Sequence, residues 1–298
     1  MKVLITGGAG FVARHLAREL SQNGDETVLT DVIDTQLANF HRADLTDRTA
    51  IINLVRMVQP EAIVHLGAIS FVPDAAKDPG LLERINVGGT RNLLDAVVDI
   101  LRQGARPPTF LFVSTAQVNH NPQSAYAKSK SDAETVVLEY AKKGISVLIA
   151  RPSNHTGPGQ SSKFVVPSFI RQALDIKAGR RAKFSVGNLN SIRDFTDVRD
   201  VVTAYRILLT RSEPGNIYYI GSNNLTTIGQ LLKKIAETVG ISPASETDSA
   251  LWRPTDSSEI LNISPLVRLG WKPSIPLDQT LRDMATEISK TYPQITLE

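Results

Sequence analysis

Lys2-Val3-Leu4-Ile5-Thr6-Gly7-Gly8-Ala9-Gly10-Phe11-Val12-Ala13 is the stretch that decides the fold. An unbroken apolar run ends in a glycine-rich corner, and apolar residues then recur at helical spacing, with Val12, Leu16 and Leu20 on one face of Phe11–Gln22. Glycines at such a corner allow a tight turn and let backbone N–H groups approach a pyrophosphate at the partly positive end of the helix. Gly7 and Gly10 take the first glycine places, and Phe11 and Val12 open the helix against the cofactor. Ala13 takes the last place, where a small residue still lets helix and sheet pack closely. Alone, a Gly-x-x-Gly corner is weak, because many strand–helix junctions hold glycine for backbone reasons only. Asp31 strengthens it. It closes the second apolar run 21 positions after Gly10, near the spacing at which a carboxylate meets the adenosine ribose. A carboxylate there would repel a 2′-phosphate by ~1 kcal/mol in water and ~4 kcal/mol near a protein surface at about 4 Å. NAD(H) is therefore the expected cofactor and NADP(H) the second candidate.

The rhythm repeats outward from that corner. Strands are expected over Lys2–Thr6, Thr27–Asp31, Ala62–Leu66, Thr109–Ser114 and Ser146–Arg151, with helices over Phe11–Gln22, Asp47–Gln59, Leu81–Gln103 and Ser124–Lys143. Continuous apolar strands alternating with amphipathic helices predict an α/β fold, a doubly wound parallel sheet covered on both faces. Asp44-Leu45, after the expected third strand, could reach the adenine, and Leu66-Gly67-Ala68 could line the cofactor path. Past Arg151 the rhythm breaks into Pro, Gly and Ser clusters, a helix (Pro167–Lys177), a short strand, a helix (Val198–Arg211) and a strand (Asn216–Gly221). From about Leu225 two or three helices and the turn-rich stretch Leu251–Asp256 follow. This reads as a dinucleotide domain over 1–158, with 193–224 returning to it, and a smaller interleaved lobe over 159–192 and 225–298.

The fifth strand leads into Val113-Ser114-Thr115-Ala116, and the next helix opens with Tyr126-Ala127-Lys128-Ser129-Lys130. Tyr126 and Lys130 are four apart and share a helical face. A phenol of pKa about 10 is a poor base at neutral pH; an adjacent ammonium and a positive nicotinamide would favour the phenolate. Thr115, at the C-terminal end of a strand, could donate a hydrogen bond to a substrate oxygen. Such a set suits hydride transfer at a carbinol or ketone. Tyr-x-x-x-Lys is common on surface helices; its position downstream of a dinucleotide corner gives it meaning.

Composition closes off other classes. The sequence holds no cysteine, which removes disulfides, thiolate metal sites and cysteine nucleophiles. His15, His41, His65, His120 and His155 lack ligand spacing, so no metal is expected, and no Gly-x-Ser-x-Gly elbow occurs. A net charge of +3 spread along the chain argues against nucleic-acid binding. No apolar run approaches the ~18–20 residues of a membrane helix, and no signal peptide opens the chain, so a cytoplasmic location is expected.

With these motifs in order, the sequence resembles the extended short-chain dehydrogenase/reductases over nearly its whole length. The carriers are Thr6–Phe11, Asp44-Leu45, His65-Leu66-Gly67-Ala68, Asn86-Val87-Gly88-Gly89-Thr90, Tyr126–Lys130 and Arg193–Asp200. The resemblance implies a Rossmann-type fold, cofactor contacts from Tyr126 and Lys130, and a homodimer. The second half is most similar to the GDP-4-keto-6-deoxy-mannose reductases of GDP-rhamnose synthesis, through Arg151–Gln160, Gly187-Asn188-Leu189, Arg253-Pro254 and Gly270–Leu277. By that resemblance Asn154 faces the sugar, Arg193 and Arg253 meet diphosphate or ribose, and Ser70, Gln117 and Val165 line the substrate site. Two departures stand out. Dehydratases of the family carry an acidic pair after the threonine, whereas this chain has Ala116 and Gln117, and Gln117 cannot remove a proton. Thr115 and Tyr126 are only 11 positions apart, about half the usual span.

The implied activity is NAD(P)H-dependent reduction of a nucleotide-linked 4-keto-6-deoxyhexose of the GDP-4-dehydro-6-deoxy-D-mannose type, without nucleic-acid or membrane partners. A nucleotide-sugar 4-epimerase would use the same residues, and Asp31 leans towards it. Apolar residues such as Leu93, Leu94, Val97 and Val136–Leu138 exceed what one sheet face needs, which points to a dimer through their helices. A non-catalytic member of the family would typically have lost the tyrosine or the lysine, and both remain.

Overall fold

The computed structural model describes residues 1–70, 78–119, 124–242, 244–254 and 258–291. Residues 120–123 of the Thr115–Tyr126 connection, and the end of the stretch Leu251–Asp256, lie outside them. The chain forms two units, one of Met1–Pro152, Val201–Ile220 and Asn262–Lys272, the other of Ser153–Asp200, Gly221–Leu261 and Pro273–Glu298.

The first unit is built on strands β1 (Lys2–Thr6), β2 (Glu26–Asp31), β3 (Phe40–Arg42), β4 (Ala62–His65), β5 (Thr109–Val113), β6 (Val147–Pro152) and, returning late, β10 (Ile217–Ile220). They form one parallel sheet in the order β10-β6-β5-β4-β1-β2-β3. Both faces are covered, so Val3, Leu4 and Ile5 are all fully buried, which is why these strands read as unbroken apolar runs. Helix α1 (Phe11–Gln22) buries Ala13, Leu16 and Leu20. Val12, expected on that stripe, is only half-buried, and the stripe that meets the core is Ala13, Leu16 and Leu20. Helix α2 (Arg48–Val58) is capped by the Asp47 carboxylate on Ala50 N–H at 3.0 Å. Its Ile51, Leu54, Val55 and Val58 share a core with Leu93, Leu94, Val97 and Ile100 of Gly89–Arg102.

The helix expected over Leu81–Gln103 is interrupted. An α-turn (Pro79–Leu82) passes into a π-helical turn (Glu83–Gly88) before α-geometry resumes at Gly89. Such one-turn bulges shift the register of the side chains they carry, and this one holds Asn86. The helix Ala125–Ala141 also breaks its apolar stripe, burying Ser129, Lys130 and Glu134 among Ala127, Ala133 and Val137. Burial of a lysine inside a helix face is costly.

In the second unit β7 (Asn154–Thr156) pairs in parallel with β9 (Ile192–Asp197), which pairs antiparallel with β11 (Leu225–Thr227). β8 (Phe184–Val186) and β12 (Ser245–Thr247) form a parallel ribbon. The helices Val165–Lys177, Ile228–Val239 and Leu277–Thr291 enclose a core of Phe169, Ile170, Phe184, Leu231, Ile235, Leu281 and Met284. The acids of the Arg193–Asp200 motif stabilise this unit. Asp194 accepts from Asn223 N–H (3.1 Å) and from Ser222 Oγ. Asp197 accepts from Thr280 Oγ1 (2.7 Å) and pairs with Arg199 (2.7 Å). Asp200 accepts Ser274 and Ile275 N–H, each at 2.9 Å. No helix among the described residues is long and apolar enough to cross a membrane.

Candidate active site

The corner after β1 turns tightly against the sheet and the start of α1. Gly7 sits at φ +68, where side chains are strained, and a Cβ on it would stand 2.9 Å from Gly67 N. Gly10 is the N-cap of α1 and makes no side-chain cap, so the helix's first N–H groups face the corner. The Asp31 carboxylate is held there by Ala9 N–H and Ile33 N–H, each at 3.2 Å. Phe11 stacks edge-on against His15 at 5.3 Å. Leu45 packs on Gly67 and Gly89, where a Cβ would come within 2.7 and 2.8 Å of it. Asp44 accepts Thr46 N–H and Oγ1 in a local turn. Leu66 and Ala68 are half-buried and Ser70 is exposed.

Thr115 is buried, and its Oγ1 accepts Gln117 N–H at 3.3 Å while its own proton has no acceptor among the described residues. Gln117 itself is exposed. The neighbouring Ser114 Oγ is buried without a hydrogen-bond partner among the described residues. Tyr126 and Lys130 lie on one face of Ala125–Ala141, and neither side chain has a hydrogen-bond partner among the described residues. Lys130 Nζ stands 4.4 Å above the Phe112 ring. Glu134, one turn further on, is committed to Arg151 through bonds of 2.9 and 2.5 Å. Burial pushes the Tyr126 phenol up to about 12. It brings Lys130 down to about 7, against the opposing pull of Glu134. In the protein alone, burial raises the Tyr126 phenol and is the larger cause that lowers Lys130, because desolvation penalises the charged form of each.

A buried polar chain joins the corner to the helix Ala125–Ala141, and its roles were not legible in the sequence. Thr90 Oγ1 donates to the Asn86 carbonyl at 2.6 Å, so it accepts from His65 Nε2 at 2.9 Å. His65 Nδ1 therefore accepts from Thr6 Oγ1 at 2.7 Å, and Thr6 Oγ1 accepts Gly67 N–H at 3.0 Å. Burial lowers the His65 pKa to about 3, with a smaller contribution from Lys130, so the imidazole is neutral in a single tautomer. Asn86 exchanges bonds with the Ile69 backbone at 2.9 and 3.2 Å and donates to Ser129 Oγ at 2.9 Å. Ser129 Oγ in turn donates to the Tyr126 carbonyl at 2.8 Å.

The remaining expected residues lie in the second unit. Asn154, on β7 opposite Phe195, has a half-buried carboxamide without a partner among the described residues. Val165 opens the helix Val165–Lys177, partly packed on that unit's core. Arg193 donates to the Ile192 carbonyl at 2.8 Å. Arg253 is exposed and turns back on its own loop, donating to Ala250 O (3.0 Å) and Trp252 O (2.7 Å).

A parallel sheet with a glycine corner at β1 and a threonine–tyrosine–lysine set after β5 defines a short-chain dehydrogenase/reductase of the extended type. The chain belongs to the GDP-mannose 4,6 dehydratase family, whose model matches residues 4–284. It is similar to the GDP-6-deoxy-D-mannose reductase of Pseudomonas aeruginosa, 32% identical over 96% of each chain. Its fold is similar to RMD from Pseudomonas aeruginosa complexed with NADPH, with TM-score 0.85, 31% identity and coverage of 98% of this chain and 99% of that one. It is also similar to the UDP-glucose 4-epimerase of Thermus thermophilus in complex with NAD, with TM-score 0.83, 26% identity and coverage of 98% and 100%.

Proposed function

We propose that this chain reduces the 4-keto group of a nucleotide-linked 6-deoxyhexose of the GDP-4-dehydro-6-deoxy-D-mannose type. It is an NAD(P)-dependent enzyme, and its residues fit the cofactor. Gly7 and Gly10 would hold the pyrophosphate, Asp31 the adenosine ribose, and Lys130 the nicotinamide ribose. When bound, the reduced nicotinamide supplies a hydride to the carbonyl carbon. Thr115 donates a hydrogen bond to the carbonyl oxygen, and Tyr126 gives that oxygen its proton. The observation that carries this reading is the set Thr115, Tyr126 and Lys130, with Ala116 and Gln117 directly after the threonine. A phenol held neutral by burial is poised to donate, while no carboxylate follows Thr115 to abstract the proton that dehydration removes. Asn154, Val165, Arg193 and Arg253 would hold the nucleotide sugar together with Ser70 and Gln117, the arginines by fork-like bonds to phosphate oxygens.

The test is absorbance at the reduced nicotinamide band beside product analysis, with GDP- and dTDP-4-keto-6-deoxyhexoses. A reductase oxidises one NAD(P)H per sugar. Sugar interconversion without net oxidation would overturn this reading in favour of the 4-epimerase, for which Asp31 is the supporting observation.

A homodimer through the helices Gly89–Arg102 and Ala125–Ala141 is proposed on family likeness. Leu93, Leu94, Val97, Val136 and Val137 are buried within the unit itself, and of the residues that suggested a dimer only Leu138 is exposed. Their outer faces carry ion pairs instead, such as Arg91–Glu139 at 3.6 Å. Light scattering at micromolar concentration should give twice the chain mass; a monomer would count against the proposal.

A further inference from the structure

Arg151, near the end of β6, ties together two elements that lie apart in sequence. On one side its Nε and Nη2 donate to the Glu134 carboxylate at 2.9 and 2.5 Å. On the other its Nη1 donates to Asn119 Oδ1 at 2.9 Å and to the Tyr219 hydroxyl at 2.8 Å. The Tyr219 hydroxyl gives its own proton to the same Asn119 Oδ1 at 2.8 Å, which closes a ring of hydrogen bonds. Tyr219 reaches this point because β10 pairs in parallel with β6 and sets it directly beside Arg151. Glu134 is buried and only 17% of the Arg151 side chain is exposed. A planar guanidinium so enclosed fixes both of its ends at once.

Those two ends carry the three residues of the proposed chemistry. Glu134 stands one turn after Lys130 and two turns after Tyr126 on the helix Ala125–Ala141. Asn119 closes the 3₁₀ turn Ala116–Asn119, which begins directly after Thr115. That turn is fastened to Thr115 by Gln117 N–H on Thr115 Oγ1 at 3.3 Å and by Val118 N–H on the Thr115 carbonyl at 3.4 Å. Because Thr115 Oγ1 accepts from the turn, the placement of the turn sets the direction of the hydroxyl proton. Asn119 is exposed, and water would satisfy its carboxamide. Two protein donors on its one oxygen therefore fix position rather than relieve burial.

We infer that Arg151, Tyr219 and Asn119 are positioning residues, which hold the Thr115 turn in place against the helix of Tyr126 and Lys130. The inference rests on the carbonyl chemistry proposed for Thr115 and Tyr126. The three residues act through Thr115, whose hydroxyl must meet the same oxygen that Tyr126 protonates.

A misplacement of about 1 Å can slow an enzyme about 100-fold. Asn119→Ala and Tyr219→Phe should each lower kcat by about tenfold or more, with the KM for the cofactor changed less than about twofold. Tyr219→Phe keeps the ring that lies 5.7 Å from the Arg151 guanidinium, so the fold should survive. Asn119→Asp, which keeps the acceptor oxygen, should restore most of the rate. The deciding measurement is a double-mutant cycle with Thr115→Ala. Residues that act through one another are non-additive, so Asn119→Ala should cost less than about twofold once the Thr115 hydroxyl is gone. The same full loss in both backgrounds, or no loss from Asn119→Ala in the unmodified chain, would overturn the inference. The cycle is read on the turnover that product analysis reveals, net cofactor oxidation or sugar interconversion, so failure of the reductase reading leaves this test intact. Binding of cofactor and nucleotide sugar without any turnover by the unmodified chain would overturn both.

Discussion

Tyr126→Phe should lower the reduction rate by about 10²–10⁴-fold, the span associated with removing a positioned proton donor. The ring and its packing survive the change, so nucleotide-sugar and cofactor binding should stay within a small factor. The loss should fall on kcat, because the proton is passed only as the carbonyl oxygen gains charge. The Tyr126 proton, held to about pH 12 in the free protein, is in place across the physiological range. No acid limb or alkaline limb below about pH 10 should trace to this residue in the free enzyme. Full activity in Tyr126→Phe, measured at the reduced nicotinamide band, would remove Tyr126 from the mechanism.

Lys130→Met should cost turnover about 100-fold. An ammonium ~6 Å from the phenolic oxygen would, at an effective dielectric of about 20, favour the departing-proton state of Tyr126 by about 3 kcal/mol. Binding of the cofactor should weaken as well, since Lys130 would serve the nicotinamide ribose. Two pH signatures distinguish the charge from the shape. The kcat/KM for the cofactor, which reports groups on the free enzyme, should fall as pH rises through about 7, where Lys130 loses its proton. That limb should be missing in Lys130→Met. Stability runs the other way. The folded pKa of Lys130 is depressed from 10.5 to about 7, so the unfolded chain binds this proton more tightly and stability is lost as pH falls from 10.5 to about 7. Lys130→Met should therefore raise the melting temperature most at pH 7 and below, with the gain shrinking towards pH 10.5. An unchanged pH profile of kcat/KM would mean that the ammonium does not act in the reaction.

The buried chain through His65 sharpens the contrast with these groups. His65 stands in the middle of the chain and titrates only near pH 3, so it carries no proton in the reaction. Its protonation in the unfolded chain below 6.5 lowers stability as pH falls from 6.5 towards 3. Its two ring nitrogens are fixed by Thr6 and Thr90, which suits a residue that holds strands and helix in place.

The sequence by itself determined the doubly wound sheet, the glycine corner at Gly7 and Gly10, and the pairing of Tyr126 with Lys130. Each of these is written in contiguous residues: apolar runs mark buried strands, glycines mark a corner, and a spacing of four marks one helical face. Tertiary structure alone decided how those groups are tuned. Thr6 meets His65 across 59 positions because β1 and β4 are neighbours in the sheet, and no local spacing encodes that adjacency. The directions of the Tyr126 and Lys130 pKa shifts depend on how much low-dielectric material packs around the helix Ala125–Ala141, a property of the whole unit. All but Leu138 of the apolar residues read as a dimer surface were claimed by the unit's own core. The acids of the Arg193–Asp200 motif were claimed by Asn223, Thr280 and Ser274. Periodicity tells which side chains leave water; only the fold tells which partners they find.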